Sequence, residues 1–215
     1  MSAAEEHPAA RAGSVDTRTR LVTSTAALLQ RQGYEGTSVK RILADAGATF
    51  GSLYHHFPEG KEQLAAEALR HGAADFAALL RTGLASSEDA ATAVAQCALL
   101  LADTLRDSDW TDGCPVAATA LELIGRSPRI QGVSDEAISN WRSLIAEKLH
   151  SGGLQRDAAA ALACTVISTL EGAELLSRVS RDEEPLHLAA QHLELLIHAS
   201  FAAAGAKPAQ ASAAD

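Results

Sequence analysis

Aromatic residues are scarce in this chain: two Trp, two Tyr and four Phe among 215 residues. β-Branched residues are thin outside short patches, and no strand-like alternation stands out, which argues against a β fold. Cysteine is limited to Cys97, Cys114 and Cys164, widely spaced and odd in number. Without a CxxC pair or finger spacing, neither a disulfide framework nor a structural zinc site is expected. No uninterrupted apolar run approaches the roughly 20 residues that a membrane span needs. The N-terminal MSAAEEHPAARAGS lacks the apolar core of a signal peptide, so the cytoplasm is the expected location. Also missing are a Gly-rich phosphate loop, a GxSxG elbow, paired carboxylates at catalytic spacing and an HExxH motif. No catalytic residue, metal or cofactor is therefore expected, and the chain does not read as an enzyme.

Alanine, the best helix former, is abundant, and 47% of residues are hydrophobic. The expectation is an all-α protein. Residues 1–15 and 205–215 read as disordered. Asp16 or Thr17 caps a first helix that runs to about Gln32, with Gly33 as its C-cap. Thr37 or Ser38 caps a second. Further helices are expected at about 49–55, 61–82, 89–106, 116–124, 135–149, 157–178 and 185–204. GRSPRIQG, before Ser134, reads as a loop.

The segment VKRILADAGATFGSLYHHFPEGK, Val39 to Lys61, says most about the job of the chain. Val39, Ile42, Leu43 and Ala46 give one buried helical face. Gly47 supplies a turn by tolerating positive φ. A short helix follows until Pro58 stops it. This is the plan of a helix-turn-helix, whose second helix enters the DNA major groove. The net charge of −9 is unevenly spread: residues 11–71 carry eight Lys/Arg against six Asp/Glu, so the acidity lies mainly elsewhere. That suits a small nucleic-acid module on an acidic body.

Residues 18–64 resemble the tetracycline-repressor (TetR) family of transcriptional regulators. The likeness rests on Arg31 to Val39, on Ile42 to Gly47, and on Gly51 to Phe57 with Lys61-Glu62. Gly113 to Ala117, Leu121-Glu122 and Leu170 to Ala173 resemble the LmrA/YxaF-like branch. The resemblance implies an N-terminal three-helix DNA-binding domain, residues 16–60, and a helical effector-binding and dimerisation domain, residues 61–204. It implies a homodimer through the helices at about 157–178 and 185–204, a palindromic operator in double-stranded DNA, release by a small-molecule effector, and repression. Many relatives carry Lys or Arg where this chain has Phe50, so no borrowed operator applies.

Small residues at a recognition-helix tip let the backbone approach the bases. Thr49, Gly51 and Ser52 fit that need, and Thr49 and Phe50 are the candidates for base edges. Thr37, Ser38, Ser52, Tyr54, His55 and Lys61 are candidates for phosphate contact. Lys40 and Arg41 diverge on their helix, so one of them can meet phosphate; Arg18 and Arg20 are looser candidates. His56 suits either packing or contact. For the effector, Trp110, Cys114, Trp141 and Glu171 are candidates, because a pocket is mostly apolar with a few polar handles. Core packing is the competing reading for Trp110, Cys114 and Trp141. Glu171 and Glu174 are candidates to meet a cationic ligand, with a solvated or ion-paired helix face as their competing reading. A small helical enzyme, or an interaction module without DNA binding, is the alternative reading of the whole.

Overall fold

The computed structural model describes residues 15–205. The expected disordered segments 1–15 and 205–215 lie almost wholly outside them. The described residues form α1 (Thr17–Gly36), α2 (Val39–Ala46), α3 (Phe50–His56), α4 (Lys61–Ala85), α5 (Ala90–Asp107), α6 (Pro115–Leu123), α7 (Pro128–Ser151), α8 (Arg156–Ser180) and α9 (Glu184–Ala203), with no strand among them.

Side-chain caps fix several starts. Asp16 accepts from the Thr19 N–H at 3.0 Å, Ser38 from Arg41 at 3.2 Å and Asp89 from Thr92 at 2.8 Å. Each satisfies a backbone donor that a helix N-terminus leaves orphaned. Gly47 ends α2 in the left-handed region, φ 56°, as the turn requires.

Gly33 breaks the first helical run after Gln32 with φ 70°, as its expected capping role requires, and one further turn then runs to Gly36. One boundary departs from the sequence reading. The expected loop GRSPRIQG is mostly helix, since α7 begins at Pro128 rather than near Asp135. Ser127 accepts from the Ile130 N–H at 3.1 Å, and proline at the first helical position loses no hydrogen bond. That local start signal outweighs the single Gly132 within the run.

The apolar residues divide into two clusters. The first holds Leu21, Val22, Leu28, Ile42, Leu43, Ala46, Leu53, Phe57 and Leu64, and so closes α1, α2 and α3 on each other. The second fills the body formed by α4 to α9. Helices α1 and α4 contribute to both: Ala26 and Leu29, and Ala65 and Leu69, belong to the second. At its centre Trp141 of α7 is fully buried against Phe76 of α4, with ring centroids 4.4 Å apart. Its indole N–H donates to the Ala73 carbonyl at 3.0 Å. Trp141 is thus a satisfied core residue, and its expected place in an effector pocket is corrected.

Candidate nucleic-acid interface

Helix α3 is short, and its start is held by a reciprocal cap. Thr49 accepts from the Ser52 N–H at 3.2 Å, and Ser52 Oγ accepts from the Thr49 N–H at 2.9 Å. Leu53 and Phe57 point into the small core, at 0% and 1% exposure. Phe50 and Tyr54, one turn apart, instead stand in solvent at 57% and 52% exposure. Thr49, Gly51 and His55 are exposed alongside them. Among the described residues nothing covers this aromatic pair. On α2, Ser38 and Lys40 are exposed, and Lys40 makes no ion pair among the described residues. Arg41 pairs with Asp45 at 3.0 Å.

Some expected phosphate contacts are turned inward. Thr37 is fully buried, and its hydroxyl donates to the Gly33 carbonyl at 2.7 Å, so its side chain cannot face a phosphate. Lys61 is half-buried. Its Nζ donates to the Tyr34 carbonyl at 2.7 Å and lies 3.8 Å from the Tyr34 ring centroid. Burial pushes its ammonium pKa down, against the pull of Glu35 and Glu122. Its cation joins α4 to the last turn of α1 and is not free for DNA in this arrangement. Arg20 binds the Ala46 and Val15 carbonyls at 3.0 and 2.9 Å, and Arg18 pairs with Glu67 at 3.0 Å. Both brace the head.

A set of contacts that spacing could not reveal ties this head to the body. Glu122 of α6 accepts from the backbone N–H groups of Tyr34 and Glu35, at 2.6 and 2.9 Å. The kink carries glycine because φ at position 33 is 70°, a left-handed conformation that other residues rarely adopt, and the Glu122 carboxylate fills the space beside it. Arg126 pairs with Glu35 at 2.9 Å, and Ser127 Oγ donates to Glu62 at 2.6 Å. Arg178 of α8 donates to the carbonyls of Arg31 and Thr111, at 2.8 and 2.7 Å. The only sequence signal was the family likeness at Leu121-Glu122.

Two cavities lie behind these contacts and share Gly113 and Glu174. One, of about 250 Å³, is walled by Ala26, Phe76, Leu101 and Leu105 of α1, α4 and α5. The other, of about 300 Å³, is walled by Cys114, Ala117, Leu121, Glu171 and Leu175 of α6 and α8. Cys114 and Glu171 thus stand together on a cavity wall, whereas Trp110 lines neither cavity and packs against the body core. Cys114 caps α6, accepting from the Ala117 N–H at 3.4 Å. Burial, then Glu171 and Glu174, push its thiol pKa well up, so it is held as an unreactive thiol. No cluster of His, Cys, Asp and Glu among the described residues is arranged to hold a metal.

Residues 21–68 match the family described as bacterial regulatory proteins, tetR family. Residues 90–192 match the C-terminal domain of LmrA/YxaF-like transcriptional regulators. The chain is 30% identical to the uncharacterised HTH-type transcriptional regulator YxaF of Bacillus subtilis, over 85% of this chain and 95% of that protein. It is 31% identical to the HTH-type transcriptional regulator LmrA of the same organism, over 80% and 91%. Among solved structures, a TetR transcriptional regulator from Chloroflexus aurantiacus superposes with a TM-score of 0.70 at 29% identity, covering 85% of this chain and 94% of that one.

Proposed function

The chain belongs to the TetR family and is a DNA-binding transcriptional regulator, and on that premise we propose that it is a repressor: a homodimer that holds a palindromic operator and lets go when a small molecule enters its helical body. The observation that carries the DNA-reading surface is the exposed face of α3, where Phe50 and Tyr54 stand out beside Thr49, Gly51 and His55. Phe50 suits a thymine methyl, and the neighbouring hydroxyls and Lys40 suit phosphate. In this reading residues 16–60 are the DNA-binding domain and 61–204 the effector-binding and dimerisation domain.

The dimer reading is supported by the outer sides of α8 and α9. Leu175, Leu176 and Val179 of α8 are 62%, 60% and 76% exposed, and Leu188, Leu195 and Leu196 of α9 are exposed too. Helix α8 is long and apolar enough, by length and composition, to cross a membrane. We read that apolarity as the seam of a four-helix interface between two copies, in a cytoplasmic protein without a membrane partner.

Release follows if the effector favours an arrangement of the two heads that no longer fits successive grooves. The shift cannot exceed the effector's differential affinity for the two arrangements, commonly about 1–3 kcal/mol. Helix α4 is one link to the head; α6, through Glu122, and α8, through Arg178, are two more. Selection from random duplexes with the full-length protein should return an inverted repeat whose half-sites lie about one helical turn apart or somewhat more. A pool without inverted repeats overturns the reading. Gel shift with the protein's own upstream DNA then locates the target.

A further inference from the structure

Glu174 is 6% exposed, and its Oε2 has no hydrogen-bond partner. Glu171, three residues earlier on α8 and so on the same face, has a buried Oε1 that is also without a partner. Both border the cavity beside α6, and Glu174 also borders the one beside α5. Burying an unpaired carboxylate is expensive, and such a group persists where it has a use. The nearby cation does not supply the partner: Arg178 spends its guanidinium on the Arg31 and Thr111 carbonyls and makes no ion pair among the described residues.

Arg178 itself borders the cavity beside α6, and the other charged groups on the two walls are Asp75, His71 and Asp112, the last paired with Arg31 at 2.7 Å, so the carboxylates without a cation partner on the walls are chiefly Glu171 and Glu174. The rest is mainly apolar: Phe76, Leu79, Leu101 and Leu105 on one side, Ala117, Leu121 and Leu175 on the other. Each chamber exceeds the roughly 150 Å³ that holds a benzene ring.

We propose that the paired cavity binds an organic cation, a protonated amine carried on an apolar or aromatic body, with the ammonium between Glu171 and Glu174. This rests on the reading of the helical body as an effector domain and adds the chemical class of the effector. An ammonium supplies three donors to oxygens that have none, and its charge offsets two carboxylates in one small space. A carboxylate ligand meets repulsion there, and an alcohol supplies a donor without charge. Burial, then Glu171, lifts the Glu174 pKa to about 8, with Arg178 opposing, so near neutral pH Glu174 carries a proton that an incoming ammonium displaces.

The test uses the full-length protein and three probes with one naphthylbutyl body: the primary amine, the alcohol and the carboxylic acid. Titration calorimetry near pH 7.5 should show the amine binding at least tenfold tighter than the alcohol, with no binding of the acid. Amine binding should release a proton, seen as heat that scales with the ionisation enthalpy of the buffer. The preference for amine should vanish in Glu174→Gln and shrink in Glu171→Gln, melting curves showing each variant folded. Equal binding of amine and alcohol, no binding of the amine, or an undiminished preference in a folded Glu174→Gln protein overturns the proposal. A gel shift separates the two readings: an amine that binds through Glu174 yet leaves the DNA complex intact supports the site and overturns its role as the release switch.

Discussion

The carboxylate of Glu122 on α6 accepts a hydrogen bond from the backbone N–H of Tyr34 at 2.6 Å, 88 residues away in sequence. The Glu35 N–H adds a second bond at 2.9 Å. A body helix therefore holds the chain at the point where α1 ends and the DNA-reading unit begins. Hydrogen bonds to a charged group contribute about 1.5–3 kcal/mol each. Glu122→Ala should destabilise the protein by about that amount, measured by urea unfolding. Glu122→Gln keeps the acceptor oxygen and should lose less. An alanine variant as stable as the parent would show the clasp to be incidental.

Lys40 and Thr37 should separate cleanly in DNA binding. Lys40→Ala should weaken binding to all duplexes alike and lower the slope of log affinity against log salt by about 0.9. Thr37→Val should leave that slope unchanged, because its hydroxyl is buried on the Gly33 carbonyl. Its cost should appear instead in stability, at about 1–3 kcal/mol for the acceptor left unsatisfied.

Phe50→Ala should change which base is preferred at its position in a random-duplex selection, by about 1–3 kcal/mol of discrimination. Melting temperature should hardly move, because Phe50 is 57% exposed. Leu53→Ala, at a fully buried position of the same helix, should cost about 2–5 kcal/mol in unfolding.

Glu174 gives a pH signature. Its folded pKa of about 8 lies above its ordinary value of 4.5, so between these pH values the folded state binds more protons than the unfolded one. This group's contribution to stability therefore falls as pH rises through that window. Glu174→Gln should melt higher than the parent at pH 8, and the difference should shrink toward pH 4.5. A constant difference across that range would place the effect elsewhere.

Leu176→Glu combined with Val179→Glu puts two charges on the outer side of α8, away from the cavity wall. Sedimentation should then show monomers, and operator affinity should fall by orders of magnitude as the second head is lost. Dimers of undiminished affinity would move the interface elsewhere.

How much the sequence could tell varied with distance along the chain. Periodicity and local caps placed the helices within a few residues, since both act within a turn or two. The missed start of α7 was also local: Ser127-Pro128 is a helix-opening pair, obscured by Gly125 and Gly132 on either side. Thr37 and Ser38 looked equivalent as caps. Only the kink at Gly33 brings a carbonyl to Thr37 and leaves Ser38 outside. Trp141 looked like a pocket residue until Phe76 and the Ala73 carbonyl, 68 residues from it, closed around the ring. Glu171 and Cys114 were named separately, but their meeting depends on how α6 lies on α8.

The Glu122 carboxylate grips backbone rather than side chains. Its two hydrogen bonds therefore survive a change of identity at residues 34 and 35, at the expense of the Arg126–Glu35 pair and the Lys61–Tyr34 contact, provided position 33 stays glycine and position 122 stays acidic. That makes the joint a standard coupling. A head from a relative with different base preferences, grafted up to residue 60 with its glycine kept, should plug into this body and obey the same chemical signal. New promoters could thus be brought under an existing sensor without redesigning either half.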